Sequence, residues 1–400
     1  MPRRSWWKTA LLLLAFAGPV YGGGPMLSKQ TYQVLKTTQE WLNDGATAKA
    51  VRRLEVLVKE TGERPYDQAV VLQTLAHAQL VGENYPDAII NLKRSLKLGV
   101  LPEEVQQNIR FNLAQLYMAT ESFPAAIDII KRWLQQAEAP RPEAYVVLGS
   151  AYYQLQRFKD AIPPIRKAID LASAPKESWY QMLLSAYNEV KDYRSCVSLL
   201  HTMLKRFPGR PTYWRQLAGL EMTRERYPEA LSVMELAHLR GYLKTERDLR
   251  NLAQLYTQCN APYRAARVME QGIAEGRIEP NRKNLELTAN AWYQAREYEH
   301  AIAALERAVA ADNDPKLGLR LAQLYISAQR WADAEKSLHR LLDHKKLADK
   351  HAAKAWLLLG VSRYEQDDTR AAKNAFTAAK RYASTRSDAQ QWLAFLEHDG

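Results

Sequence analysis

A six-residue phrase returns in this chain. NLAQLY stands at residues 112–117 and again at 251–256, and RLAQLY follows at 320–325. Identical phrases that far apart mark internal repetition, and repetition limits a fold more than composition does. The stretch around the first copy, residues 112–137, reads as two helices with a short break. Leu113, Ala114 and Tyr117 share one face of the first helix, and Ala126, Ile130 and Trp133 share one face of the second. Small residues fall where two helices must cross closely, and large ones fill the space around them.

Aligned on the small residue of the second helix, the rest of the chain falls into register. That residue is Ala50, Ala88, Ala126, Ala161, Cys196, Ala230, Ala265, Ala301, Ala334 or Ala372, with spacings of 38, 38, 35, 35, 34, 35, 36, 33 and 38. An aromatic precedes it by three positions at Tyr85, Phe123, Phe158, Tyr193, Tyr227, Tyr298 and Trp331. Twelve before it a small residue often follows a large one, as in Leu148-Gly149 and Leu359-Gly360. Nine before it comes Tyr117, Tyr152, Tyr187, Tyr256, Trp292 or Tyr325. A single helix pair cannot bury its apolar face, whereas stacked pairs bury it continuously. Hydrophobic content of 47% is sufficient for such a core, strand signals are scarce, and helix formers dominate.

The period and pattern resemble the tetratricopeptide repeat. The resemblance implies an all-α chain, a right-handed α-solenoid of about ten helix pairs over residues 30–383. Residues 384–400 then form a C-terminal capping helix and tail, with Trp392, Leu393 and Leu396 along one face. Residues 1–22 have the layout of a secretory signal peptide: Arg3, Arg4 and Lys8, then a short apolar run over residues 10–17, then a cleavage region after Ala17 or Gly22. An uncleaved, weakly anchoring N-terminus is the alternative. Residues 23–29 form a short N-terminal segment. The formal charge is +12, and +9 without the three bases of residues 1–22. A basic balance favours acidic partners, anionic lipid head groups or anionic polymers, and export disfavours nucleic acid. Cys196 reads as a core residue and Cys259 as a loop residue, not a redox pair.

Catalytic signatures are missing: there is no phosphate loop, HExxH or nucleophile elbow. His339, His344 and His351 are spaced by five and seven, which does not gather them on one helix face. The chain reads as no enzyme, with no cofactor and no metal site. Partners would meet the first helices of the repeats, where core packing does not set the side chains. These are Asn112, Gln115, Gln181, Ser185 and Asn188, then Arg215, Arg250, Asn251, Gln254, Asn290, Tyr293, Lys316, Arg320 and Gln323. Some tetratricopeptide repeats hold a peptide C-terminus in a carboxylate clamp. Arg250 with Gln254 resembles its first pair and Lys316 with Arg320 its last. Leu287 replaces its middle Asn, with Asn290 one turn later.

Longer segments carry a closer resemblance: GVLPEEVQQNIRFNLAQLY (residues 99–117), AYVVLGSAYYQL (144–155), ESWYQMLLSAYNEVKDY (177–193), RFPGRPTYWRQLAGL (206–220), NLELTANAWYQAREYEHAIAALERA (284–308) and AQQWLAFL (389–396). Their order and spacing are similar to exported tetratricopeptide proteins that accompany TonB-type energy-transduction systems. That resemblance implies a periplasmic scaffold acting with a TonB-like protein and its ExbB/ExbD-like motor in outer-membrane uptake of iron or haem complexes. A general scaffold for envelope assembly and a binding module for an anionic cell-wall polymer are the other readings.

Overall fold

The computed structural model describes residues 26–312, 314–344 and 347–398. The expected signal peptide, residues 1–22, lies outside them. Among the described residues there are helices and no strands, and the chain divides into two compact units between Leu199 and Leu200. In the first unit, first and second helices alternate as α1 (Lys29–Asn43), α2 (Thr47–Glu60), α3 (Pro65–Val81), α4 (Tyr85–Lys97), α5 (Glu103–Ala119), α6 (Phe123–Gln136), α7 (Pro142–Gln154), α8 (Phe158–Leu171) and α9 (Glu177–Glu189). Helix α10 (Tyr193–Arg206) runs across the boundary. The second unit continues with α11 (Pro211–Thr223), α12 (Tyr227–Leu239), α13 (Glu246–Gln258), α14 (Pro262–Ala274), α15 (Arg282–Gln294), α16 (Tyr298–Ala311), α17 (Pro315–Ser327), α18 (Trp331–Leu342), α19 (Asp349–Tyr364) and α20 (Thr369–Ala379). Helix α21 (Arg386–His398) ends it. Each unit is an α-solenoid of helix pairs. A second helix packs on its own first helix and on the next first helix, as α2 does on α3 and α14 on α15. First helices of neighbouring pairs also touch, α1 with α3, α5 with α7 and α17 with α19.

The aligned small residues do what their size suggests. Nine of the ten are wholly buried and Ala265 is 1% exposed. Two of the partners twelve positions earlier are tightly constrained as well. A Cβ on Gly149 would stand 2.4 Å from Ile165, and one on Gly360 would stand 2.4 Å from Phe376. These are contacts between first and second helices of one pair.

The turn inside each pair is also repeated. Five residues before every aligned small residue stands one with positive φ: Gly45 first, then nine non-glycine residues running from Glu83 (φ 57) to Asp367 (φ 61). At Glu121 (φ 56), its N–H donates to the Met118 carbonyl at 3.2 Å, and the Ser122 N–H donates to the Tyr117 carbonyl at 2.7 Å. That pair of bonds is the Schellman motif, which satisfies the last carbonyls of the first helix. The same pair recurs at Asn260 and Ala261, and at Gln329 and Arg330. The αL turn reverses the chain within two residues, so the two helices leave it antiparallel and in contact.

At the C-terminus the expected capping helix is α21. Trp392 stacks on Phe376 with ring centroids 5.2 Å apart and planes 7° apart, and Leu396 is buried against the same ring. The thiol of Cys196 is buried, which pushes its pKa up to about 11. Cys259 stands at the C-cap of α13, and both cysteines are free. No helix among the described residues is long and apolar enough to cross a membrane.

Two glycines in first helices separate crowding from propensity. Gly149→Ala is expected to lose about 1–3 kcal/mol through overpacking against Ile165. Gly219→Ala, with nothing within 4 Å of its Cβ, is expected to gain about 0.5–1 kcal/mol. Urea unfolding followed by far-UV circular dichroism checks both. Equal shifts of one sign would show that crossing distance does not govern position 149.

Candidate functional site

The first helices of the second unit carry all eight principal candidate residues. Their apolar positions face inward: on α13, Leu249, Leu252 and Tyr256 are buried, which leaves Arg250, Asn251 and Gln254 on the other side. The same division on α11, α15 and α17 turns Arg215, Asn290, Lys316, Arg320 and Gln323 away from the core.

The arginines among them are already engaged. Arg215 makes a two-pronged bond to Asp248, with Nε 2.7 Å from Oδ1 and Nη2 3.0 Å from Oδ2, tying α11 to α13. Asp248 is 1% exposed and also closes the capping box of α13. Its N–H donates to Thr245 Oγ1 at 3.2 Å, while the Thr245 N–H donates to Asp248 Oδ2 at 3.3 Å. Burial pushes the Asp248 carboxyl up. The Arg215 bond and charge and the Thr245 bonds outweigh it, so the group ends below the usual carboxylate value. Arg250 stands 3.5 Å from Glu246 one turn earlier on its own helix. Glu246 also accepts from Asn284 Nδ2 at 3.0 Å and from the Glu279 N–H at 3.2 Å, and these bonds, Asn284 first, hold its pKa down. On α15, Arg282 Nε meets Glu286 at 2.7 Å. Its two remaining nitrogens meet Asp312 and Asp314, each at 2.7 Å. The other oxygen of Glu286 lies 3.7 Å from Arg320 on α17. One polar tie thus joins each first helix to the next: Arg215–Asp248, Glu246–Asn284 and Glu286–Arg320.

This changes the electrostatic picture. Arg215, Arg250 and Arg320, read from sequence as groove bases, each face a carboxylate, so the stripe is mixed in charge. Lys316 remains the exposed base. Asn251, Gln254 and Gln323 are exposed, and their side chains make no hydrogen bond within the described residues. Asn290 is half-buried and lines a shallow depression with Arg282, Lys283, Glu286 and Leu287. Leu287 is 40% and Tyr293 47% exposed beside it. In the first unit, Asn112 and Gln115 are half-buried, Gln181 and Asn188 are exposed, and Ser185 Oγ lies 2.7 Å from the Tyr153 hydroxyl. Among the described residues there is no group of three or more His, Cys, Asp or Glu placed to hold a metal. The missed residues are the carboxylates. Arg215 and Asp248 are 33 apart and Glu246 and Asn284 are 38 apart, about one repeat, so a search for opposite charges at the repeat period would have found the first pair.

A titration separates the Asp248 tie from ordinary surface pairing. Asp248→Ala removes the tie and the capping box, an expected loss of about 2 kcal/mol at neutral pH. The depressed folded pKa means this stabilisation is present above the unfolded value, 3.8, and is lost as pH falls through the folded one. Urea midpoints of wild type and variant should therefore converge below about pH 4. A gap that stays constant down to pH 2 would rule out the ionic origin.

Two family models described as tetratricopeptide repeat match residues 74–140 and 142–175. No curated protein matches the chain. Among solved structures, a tetratricopeptide repeat protein from Parabacteroides merdae is 14% identical, covering 75% of this chain and 100% of its own, with a TM-score of 0.40. MamA from Desulfovibrio magneticus RS-1 is 17% identical over 45% of this chain and 96% of its own, at 0.38. YrrB, described as a TPR protein with an unusual peptide-binding site, is 16% identical over 44% and 88%, at 0.36. The matched segments carry the same turn and the same buried small residues as the helix pairs on either side of them, so the fold is a solenoid of tetratricopeptide-type helix pairs.

Proposed function

We propose that the protein is a periplasmic scaffold that holds an extended protein segment against its first helices, as an accessory of a TonB/ExbB/ExbD-type system for uptake of iron or haem complexes. One observation supports binding on this face. Asn251 and Gln254 are exposed on α13 and Lys316 and Gln323 on α17, with Leu287 and Tyr293 exposed on α15 between them in chain order, and the fold uses none of these polar side chains internally. Amides offer both donors and acceptors to the backbone of an extended chain, which has no internal hydrogen bonds of its own. The mixed charge of the neighbouring ties suits a segment rich in proline and in both signs of charge. Export and the TonB-type partner rest on the N-terminal layout and on the likeness in order and spacing of the quoted segments.

Affinity capture from solubilised envelopes, read by mass spectrometry at low and moderate salt, tests this reading. A TonB-like protein or its motor subunits should be recovered. The combined variant Asn251→Ala, Gln254→Ala, Lys316→Glu and Gln323→Ala should lower that recovery about 10-fold or more, the scale of a weakened hot spot. Capture of secretion or polysaccharide machinery in their place would assign the scaffold to envelope assembly. Retention on peptidoglycan without a protein would assign it to an anionic cell-wall polymer.

A further inference from the structure

The second helices of the first unit carry a pattern that the scaffold reading leaves unexplained. Five and six positions after the buried small residue, α4 has Lys93 and Arg94, α6 has Lys131 and Arg132, and α8 has Arg166 and Lys167. All six are exposed. None faces a carboxylate within ion-pair distance among the described residues. Lys131 lies over the Tyr152 ring at 5.6 Å, Arg166 lies beside Tyr187, and Arg94 donates to Asn91 Oδ1 at 3.1 Å. Lys93, Arg132 and Lys167 have no hydrogen-bond, ion-pair or ring partner among the described residues. The three helices are successive second helices, so the pairs recur at one place on three repeats.

The second unit supplies an internal control. There the first of these two positions is Glu235 on α12, Glu270 on α14 and Glu306 on α16. Glu235 accepts from the Tyr256 hydroxyl at 2.7 Å, and Glu306 accepts from Tyr325. The repeat is therefore built equally well with a carboxylate at this position, and packing does not demand a base. Unpaired like charges set in register repel one another, so six bases on neighbouring repeats raise the energy of the free protein unless something anionic covers them.

We propose that the outer face of α4, α6 and α8 docks on a surface of anionic phospholipid headgroups. Two features favour lipid over an acidic polypeptide. The bases project from separate second helices, so they address a surface of distributed charge more readily than one extended strand. On α4, Ile90 is 53% exposed and shares a face with Lys93, Arg94 and Lys97. An aliphatic side chain ringed by bases suits the boundary between headgroups and acyl chains, where interfacial helices bury apolar groups. This surface is distinct from the first-helix face and needs no protein partner, so the proposal stands or falls apart from the scaffold reading.

The test is co-sedimentation of the full chain with vesicles of phosphatidylcholine, alone or mixed with phosphatidylglycerol. Binding is expected only to the mixed vesicles, and it should weaken with salt. Each base near such a surface is worth about fivefold in partitioning, so K93Q/R132Q/K167Q should lower it about 100-fold. The control R267Q/R307Q/R340Q removes the same net charge from exposed second-helix positions of the second unit and should stay within about twofold. Equal losses in both variants, or none in the first, would overturn the proposal. So would binding of soluble polyglutamate by a protein that ignores phosphatidylglycerol vesicles, which would assign the face to acidic polypeptide.

Discussion

Everything in this fold depends on how closely the two helices of a pair cross. A buried alanine, or Cys196 in one pair, sets the approach on the second helix, and Gly149 or Gly360 sets it on the first in two pairs. The αL turn five residues before the small residue delivers the chain to that crossing. Nine of its ten occurrences use a residue other than glycine. Each of the nine carries a strain of about 1 kcal/mol or more, which only surrounding structure can sustain. The Schellman bonds and the contact of the packed faces supply that structure. Because a pair touches mainly its neighbours, the result is a sum of local energies along the chain.

Much of this was legible in the sequence because the crossing leaves a size signature. On the second helix only alanine or cysteine stands there, on the first alanine or glycine in eight of ten pairs, and the spacing of that signature placed all ten pairs. The αL turn left no such signature. Glu, Gln, Lys, Asn, Arg and Asp all occupy it, and no composition rule marks a glutamate as left-handed. Pro163 and Pro164 both stand inside α8. Two interior prolines argue for a break, yet α8 continues to Leu171, with Ile165 and Ala168 wholly buried beyond them. Tertiary burial outweighs the backbone cost there.

The candidate surface was legible only in part, for a related reason. Periodicity tells which side chains point away from the core, and it placed Asn251, Gln254, Lys316 and Gln323 correctly as exposed. It does not tell which of them meet a charge on the next repeat. Arg215 reaches Asp248 because a helix pair advances one repeat between them, a neighbour relation invisible to a reading of one helix at a time. Arg320 reaches Glu286 in the same way. What looked like a basic groove is instead a line of helix-to-helix ties with free amides beside it. A carboxylate would compete poorly for bases already paired, whereas a peptide backbone can use the amides without breaking a tie.

The position that follows the crossing residue by five shows where such a scaffold is free to vary. In the second unit it holds Glu235 and Glu306, whose carboxylates accept tyrosine hydroxyls from the next first helix. In the first unit it holds Lys131 and Arg166, which lie against Tyr152 and Tyr187 instead. Both arrangements set a charged group against the tyrosine, at its hydroxyl or, for Lys131, over its ring, and a cation over a ring is attracted about as modestly as one hydrogen bond is. The aromatic contact is therefore nearly indifferent to the sign of the charge outside it. The sign can change from repeat to repeat without altering the crossing, which lets outer faces differ in charge while the core pattern stays the same.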